Sequence, residues 1–418
     1  VDPGKANYYY IGLSSVAAKK FDQAETYLDK YIQQSPNSSD GYNVVGLLYM
    51  NQNQYDKAIE YFNQAIGFDS LSYYPYRNIG NVNYKKGLEH KSNSQYQQAR
   101  AAFQEAVKYY EKALSMRRAY DYIYETGQVY YEMGEYKKAL EYYREALKIN
   151  PDYESAYVGM IHVFFKDFYS APFEEIIDVH NKLLEIRPRD KGVYHDRGRM
   201  YFNHRDYEKA IADYSTAIEI DSVYYLGYAN RGMVYDVLGE YENAMKDYSK
   251  ALEIRKNEIK NFPEAYTEAN LVWIIESINN VYLGQHQYQK AVDNYKQIYD
   301  IYQNQSPPND SLIANSCGNM SFYLLLANQP VEAGKYAEEG LKIWPSQRWI
   351  YTNLALSYLL TGKKEKAFKI YREMKDEIYV EGNQPYGEIF LDDFNLLQEA
   401  GVPIPHLEEA KAIIQGKK

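Results

Sequence analysis

Between residues 122 and 151 the apolar positions fall at helical spacing twice over. Ile123, Thr126, Gly127 and Tyr130 share one face before Gly134, and Tyr136, Ala139, Leu140, Tyr143, Ala146 and Leu147 share another after it. The pattern predicts two amphipathic helices joined by a tight turn at Gly134-Glu135, where glycine takes the backbone angles that end a helix. Asn150-Pro151 ends the second helix, since proline has no N–H with which to continue it. The same punctuation recurs along the chain. Gly12, Gly46 and Gly80 are spaced by 34, as are Gly198 and Gly232, and the alanine after each break repeats in step at Ala24 and Ala58, Ala210 and Ala244, Ala333 and Ala367. A fixed period of this length marks stacked repeats, so the length of 418 residues counts repeats and not separate globular cores.

The order of residues within one period resembles the tetratricopeptide repeat (TPR) family, whose pattern is an aromatic, Leu-Gly, Tyr, a helix break, Ala, Phe or Tyr, Ala and a closing Pro. Ile123, Thr126-Gly127, Tyr130, Gly134, Tyr136, Ala139, Tyr143, Ala146 and Pro151 fill those places, and only the first two depart from it. Roughly ten copies follow in register over nearly the whole chain. The resemblance implies an all-α fold: a right-handed superhelical solenoid of helix–turn–helix repeats, its first helices lining a concave groove along which partner peptides lie.

Residues 5–258 read as an N-terminal array of about seven repeats with an insertion near 86–98. There the interval from Gly80 to Gly127 is 47, or 34 plus 13, and two registers fit the second helix: Tyr96, Ala99, Phe103 and Ala106, or Ala106, Tyr110 and Ala113. One long helix over 94–116 accommodates both. Residues 259–303 read as a repeat after a second insertion at 257–271, with a long first helix starting near Pro263. The segment NQSPPNDS, 304–311, is expected to be a linker and a subdomain boundary, because Pro307-Pro308 cannot continue a helix. Two TPR-like repeats follow at 312–381. Residues 384–418 lack the repeat pattern and read as a C-terminal capping helix pair around VPIP, with DDFNLLQEAG resembling the terminal segments of bacterial TPR proteins. A solenoid's last apolar face needs such a cover.

Composition changes this picture little. Fifty tyrosines are far above ordinary usage, and most fill the repeat's aromatic places, such as Tyr49, Tyr55, Tyr201 and Tyr235, where the ring packs between helices and the hydroxyl reaches the wet edge. The formal charge of −10, with both signs interspersed, is expected to repel nucleic acid and anionic lipid. No apolar run approaches the roughly 18 residues of a membrane span, so no membrane insertion is expected. A single cysteine, Cys317, excludes an internal disulfide framework and any multi-thiolate metal site, and it falls where the repeat buries a core side chain. The chain starts Val1-Asp2-Pro3 instead of with Met. If a leader was removed ahead of it, a bacterial periplasmic or secreted protein is expected, and otherwise a cytoplasmic one.

No phosphate loop, GxSxG, HExxH or dinucleotide turn is present, so no catalytic residues, metal site or cofactor are expected. The functional expectation is geometric. Taking Tyr8, Tyr42, Tyr76, Ile123, Tyr157, Tyr194 and Tyr228 as one place in successive repeats, the residues one and five positions later point into the groove. Among them Tyr9, Asn43, Arg77, Asn81, Tyr124, Gln128, His162, His195 and Arg199 form a row of aromatic, amide and cationic groups suited to an extended peptide and to an acidic side chain. The chain is therefore expected to be a non-catalytic scaffold or adaptor binding a protein or peptide partner, with an acidic segment favoured. The alternative is a ligand- or peptide-responsive regulator that changes curvature on binding.

Overall fold

In the computed structural model, which describes residues 3–265, 267–379 and 384–417, the repeat is built on a contact between a glycine and a ring. Val1 and Asp2, Tyr266 of the second insertion, residues 380–383 and Lys418 of the expected cap lie outside the described residues. A Cβ on Gly46 would stand 2.4 Å from Phe62, and one on Gly127 2.7 Å from Tyr143. The same meeting occurs at Gly198 with Tyr214 (2.9 Å) and Gly232 with Tyr248 (3.1 Å). In these pairs the first helix needs glycine there because the large residue of the second helix lies against its backbone.

The chain divides into two compact units, residues 1–189 and 190–418. In unit 1 the hairpins are α1 (Pro3–Ala17) with α2 (Phe21–Gln34), α3 (Ser39–Asn51) with α4 (Tyr55–Phe68), and α5 (Tyr73–Ser92) with α6 (Tyr96–Met116). They continue with α7 (Tyr120–Glu132) and α8 (Tyr136–Ile149), then α9 (Glu154–Lys166) and α10 (Phe173–Ile186). In unit 2 they are α11 (Lys191–Asn203) with α12 (Tyr207–Ile220), α13 (Tyr225–Val237) with α14 (Tyr241–Asn261), and α15 (Val272–Gly284) with α16 (Tyr288–Gln303). Helices α17 (Asp310–Leu326) with α18 (Pro330–Ile343) and α19 (Ile350–Leu360) with α20 (Lys364–Met374) complete the repeats. Each unit is an all-α stack of helix–turn–helix repeats.

The turns share one closure. Gly134, Gly239 and Gly362 sit at φ of +76°, +74° and +76°, and in every other hairpin except α9–α10 one of Lys19, Asn53, Ser94, Arg205, His286 and Asn328 holds the same left-handed conformation. The next residue's N–H then reaches back five positions, as from Glu135 to the Tyr130 carbonyl (2.9 Å) and from Asp206 to that of Tyr201 (2.9 Å). This closure satisfies carbonyls that the helix end leaves unpaired.

Both registers read at the first insertion are realised together. Gly87 meets Phe103 (2.4 Å for an added Cβ) and Gly80 meets Tyr110 (2.6 Å), so α5 and α6 form one hairpin with two glycine–ring contacts. The second insertion differs from expectation. Its extra residues lengthen α14, which runs on to Asn261, instead of starting a long helix near Pro263. Ile254 is buried and Arg255 lies 4.6 Å over the Tyr225 ring, so the added turns have a face to pack, until Phe262-Pro263 ends them. A 3-10 turn at Glu268–Leu271, opened by a capping box between Thr267 and Asn270, then leads into α15.

Residues 304–309 form a turn inside unit 2, and one hydrophobic core joins Leu271, Ile298, Met320, Leu356 and Phe390 across it. At the end of that core α21 (Tyr386–Glu399) and α22 (Leu407–Ile414) cover the last hairpin. Phe390 and Phe394, both fully buried, meet Tyr371 edge-on at 4.8 and 5.9 Å. A two-residue antiparallel pair, β1 (Ile378–Tyr379) with β2 (Gln384–Pro385), precedes them.

Candidate functional site

Successive first helices pack on one another: α1 on α3, α3 on α5 and α7 on α9 in unit 1, and α11 on α13, α13 on α15 and α17 on α19 in unit 2. Among the described residues no two second helices of the repeats pack to that extent. The first helices therefore line the inner side of each unit, where stacked elements must crowd.

In unit 1 the expected row divides into structural and available groups. Asn43 is buried and accepts a hydrogen bond from Asn78 Nδ2 (2.9 Å), so it faces the neighbouring helix and not a partner. Arg77 is also committed: its Nε donates to Glu125 Oε2 at 2.9 Å, a second N–H serves the same carboxylate, and Asp121 stands 4.0 Å away. Its guanidinium lies 4.5 Å over the Tyr122 ring. The free positive charge expected here is answered by carboxylates on α7, which removes its support for an acidic partner. Asn81 accepts from the Tyr110 hydroxyl (2.6 Å). Tyr9, half-buried against Tyr31 (5.2 Å between ring centres), has its hydroxyl pKa pushed up to about 12 by burial and by Asp40.

Tyr124, Gln128 and His162 do come together. Gln128 Nε2 donates to the Tyr124 hydroxyl, the Tyr124 ring is 5.5 Å from that of Tyr143, and exposed His162 lies 6.4 Å from the Tyr131 ring. Tyr143 is fully buried and its hydroxyl has no hydrogen-bond partner. Burial raises its pKa far above the usual tyrosine value, and the neighbouring Tyr124, Tyr84 and Tyr131 add to the rise. Tyr84 and Tyr131 were not in the expected row. They stand four residues after Gly80 and Gly127, a third inward position that the same period would have located.

In unit 2, His195 is buried between the rings of Tyr214 (5.6 Å) and Tyr224 (5.7 Å). Its Nε2 accepts from Asn230 Nδ2 at 2.5 Å and its Nδ1 is 3.3 Å from Asp196, so it ties α11 to α13 and is not presented to a partner. Arg199 is exposed on α11. Two groups that the sequence reading passed over repeat at the period: Arg197 grips buried Asp213 through two bonds (2.8 and 2.6 Å), and Arg231 grips buried Asp247 likewise (2.7 and 2.9 Å). Their signal was an Arg before each glycine with an Asp before each ring, 34 residues apart. Cys317 is fully buried, and burial pushes its thiol up to about 12, which keeps it protonated and unreactive at neutral pH. Among the described residues no helix is long and apolar enough to cross a membrane.

Models of the tetratricopeptide repeat match residues 6–38, 39–70, 84–154, 192–222 and 225–258. Together with the glycine–ring repeat, these matches define a helical-repeat protein. The chain is a member of the tetratricopeptide repeat family. The TPR repeat-containing protein MJ1428 of Methanocaldococcus jannaschii is 23% identical over an alignment of 210 residues that covers 43% of this chain and 36% of that protein, so the chain spans about a third of its length. Among solved structures, the C-terminal part of a TPR repeat-containing protein from Cytophaga hutchinsonii matches 63% of this chain and 96% of its own, with 18% identity and a TM-score of 0.47. Yeast Tom70 matches 96% of each chain, with 14% identity and a TM-score of 0.40.

Proposed function

We propose that the chain is a non-catalytic scaffold that holds an extended segment of a protein partner on the inner faces of its first helices. Proteins of this family generally serve as protein-interaction scaffolds. The observation that carries the reading here is the cluster in unit 1, where Tyr84, Tyr124 and Tyr131 neighbour the unpartnered hydroxyl of Tyr143, with Gln128 bonded to Tyr124 and His162 beside Tyr131. An extended peptide offers alternating N–H and C=O groups, and hydroxyls and amides on a rigid helical face answer them without the entropy cost of ordering a loop. With Arg77 neutralised by Glu125, the cluster selects its partner by hydrogen bonding and ring contact more than by charge.

The test is selection of linear peptides from a displayed library against the full chain, followed by titration with a Gln128→Ala/His162→Ala double variant. Neither side chain is core, so thermal stability should stay within about 0.5 kcal/mol of the parent. Affinity for the selected peptides should fall about tenfold. Unchanged affinity across the selected set would remove this face from the binding surface.

A further inference from the structure

The inward row does not stop at Ala229. Carrying Tyr228 forward by the interval of 47 set by the second insertion gives Ile275, and the residue after it is Glu276 on α15. Glu276 opens onto a cavity of about 360 Å³ lined also by Tyr302, Leu312, Asn315, Trp349 and Tyr379. Three rings and one carboxylate thus converge on a single space from α15, α16, α17, the start of α19 and β1. The Trp349 indole N–H donates to Asn315 Oδ1 (3.3 Å), and Gln347 Nε2 donates to the same oxygen, which fixes the indole's place.

No described basic residue pairs with Glu276. Arg348, next to Trp349, is ion-paired with Glu377 at 2.6 Å and so does not supply the missing charge. The walls around Glu276 raise its pKa by burial, with no positive neighbour to bring it down. Glu276 stands at the exposed rim of the cavity, so a cation arriving from solvent reaches its carboxylate directly and meets the rings beside it.

We propose that this cavity receives a lysine side chain of the partner segment, its ammonium on Glu276 and its methylene stem along Leu312 and the rings of Tyr302 and Trp349. The proposal rests on the reading of the inner faces as the partner's track. A cation beside a carboxylate and aromatic rings is drawn by the charge and by the ring quadrupoles together. The space is too large for an ammonium alone, and a lysine stem supplies the apolar length that reaches in from a segment lying on the face. A planar guanidinium fits less well, since it seeks two parallel acceptors and the lining offers one carboxylate.

The experiment titrates the full chain with acetyl-Ala-Ala-Lys-Ala-Ala-amide, read by calorimetry and by the indole N–H resonance of Trp349. Parallel titrations use the Nε-acetyl-lysyl, norleucyl and arginyl peptides and n-butylammonium. The lysyl peptide should bind and shift that resonance, and the acetylated and norleucyl peptides should bind at least about tenfold more weakly. Glu276→Gln should weaken the lysyl peptide about tenfold, and Tyr302→Leu should weaken it several-fold, with melting curves checking that each variant is folded. Equal binding of the lysyl and acetyl-lysyl peptides, or no effect of Glu276→Gln, would overturn the proposal. Tighter binding of the arginyl peptide would replace the ligand class. Binding of n-butylammonium as tight as the peptide's would make a free amine the occupant. Gln128 and His162 belong to unit 1 and are untouched here, so failure of this test and failure of the inner-face reading are distinguishable.

Discussion

Both units bury hydroxyls, amides and an imidazole, and they differ in the charged groups they bury. Unit 1 encloses Ser15, Asn43, Asn78, Thr126 and His180, hydroxyls and amides with one imidazole. Among the described residues every buried Asp and Arg lies in unit 2: Asp213, Asp247, Arg255 and Asp393. The place before the repeat's glycine shows the exchange directly. It is Val45, Ile79 and Thr126 in unit 1, and Arg197 and Arg231 in unit 2, each gripping an Asp of the following helix. One backbone contact accepts either solution, with different liabilities. Dispersion contacts are lost piecemeal, whereas a buried ion pair that loses one member leaves an uncompensated charge.

The largest expected effect uses Asp393, inside the cap. It is almost fully buried, burial pushes its pKa up to about 7, and the Thr352 hydroxyl beside it brings it only partly back. Its Oδ2 and the nearby Tyr371 hydroxyl both lack hydrogen-bond partners. Because the folded pKa lies above the unfolded value near 4, the fold favours the protonated acid. Stability from this group is complete below pH 4, declines as pH rises, and is lost through pH 7. A shift of roughly three units corresponds to about 4 kcal/mol. Urea midpoints between pH 4.5 and 8.5 should fall for the parent and stay much flatter for Asp393→Asn. If the two slopes coincide, the buried carboxyl is not the source and the contrast between the units loses its strongest example.

Next in size is the ion pair itself. Asp247→Ala leaves the Arg231 guanidinium in a mostly closed site, still bonded to Ser215 Oγ (2.9 Å) but without its carboxylate, and should cost about 3 kcal/mol. Arg231→Leu/Asp247→Leu should recover most of that loss, since apolar replacement of both partners is often neutral. A chemical-denaturation cycle in which the double variant is as unstable as the single one would show that the pair's geometry, and not its uncompensated charge, holds the contact.

The smallest effect compares the glycines. Gly46→Ala would place Cβ 2.4 Å from Phe62, and overpacking of that kind costs about 2 kcal/mol. At Gly232 the gap to Tyr248 is 3.1 Å, and the helix preference for alanine of roughly 0.5–1 kcal/mol offsets most of the strain. Thermal melts should therefore show a clear loss for Gly46→Ala and almost none for Gly232→Ala. Equal losses would mean that the two units tolerate added volume alike.

The sequence by itself determined the repeat, its hairpins and the phase of the inward row, because helical period and turn chemistry are local. Phe103 and Tyr110 even carried both registers of the elongated hairpin, and Gly87 and Gly80 receive them. Only the tertiary structure decided what each inward residue does. Phase aims Arg77 inward, but Asp121 and Glu125, more than forty residues on, decide that its charge is spent. The same holds for Asn43 against Asn78 and for His195 against Asn230, where a partner one repeat away turns a presented group into a buried link. Glu276 was hidden because the row had been followed only as far as the second insertion. Its cavity is assembled from α15, α16, α17, Trp349 and β1, and contacts at that separation are set by packing, which no local pattern encodes.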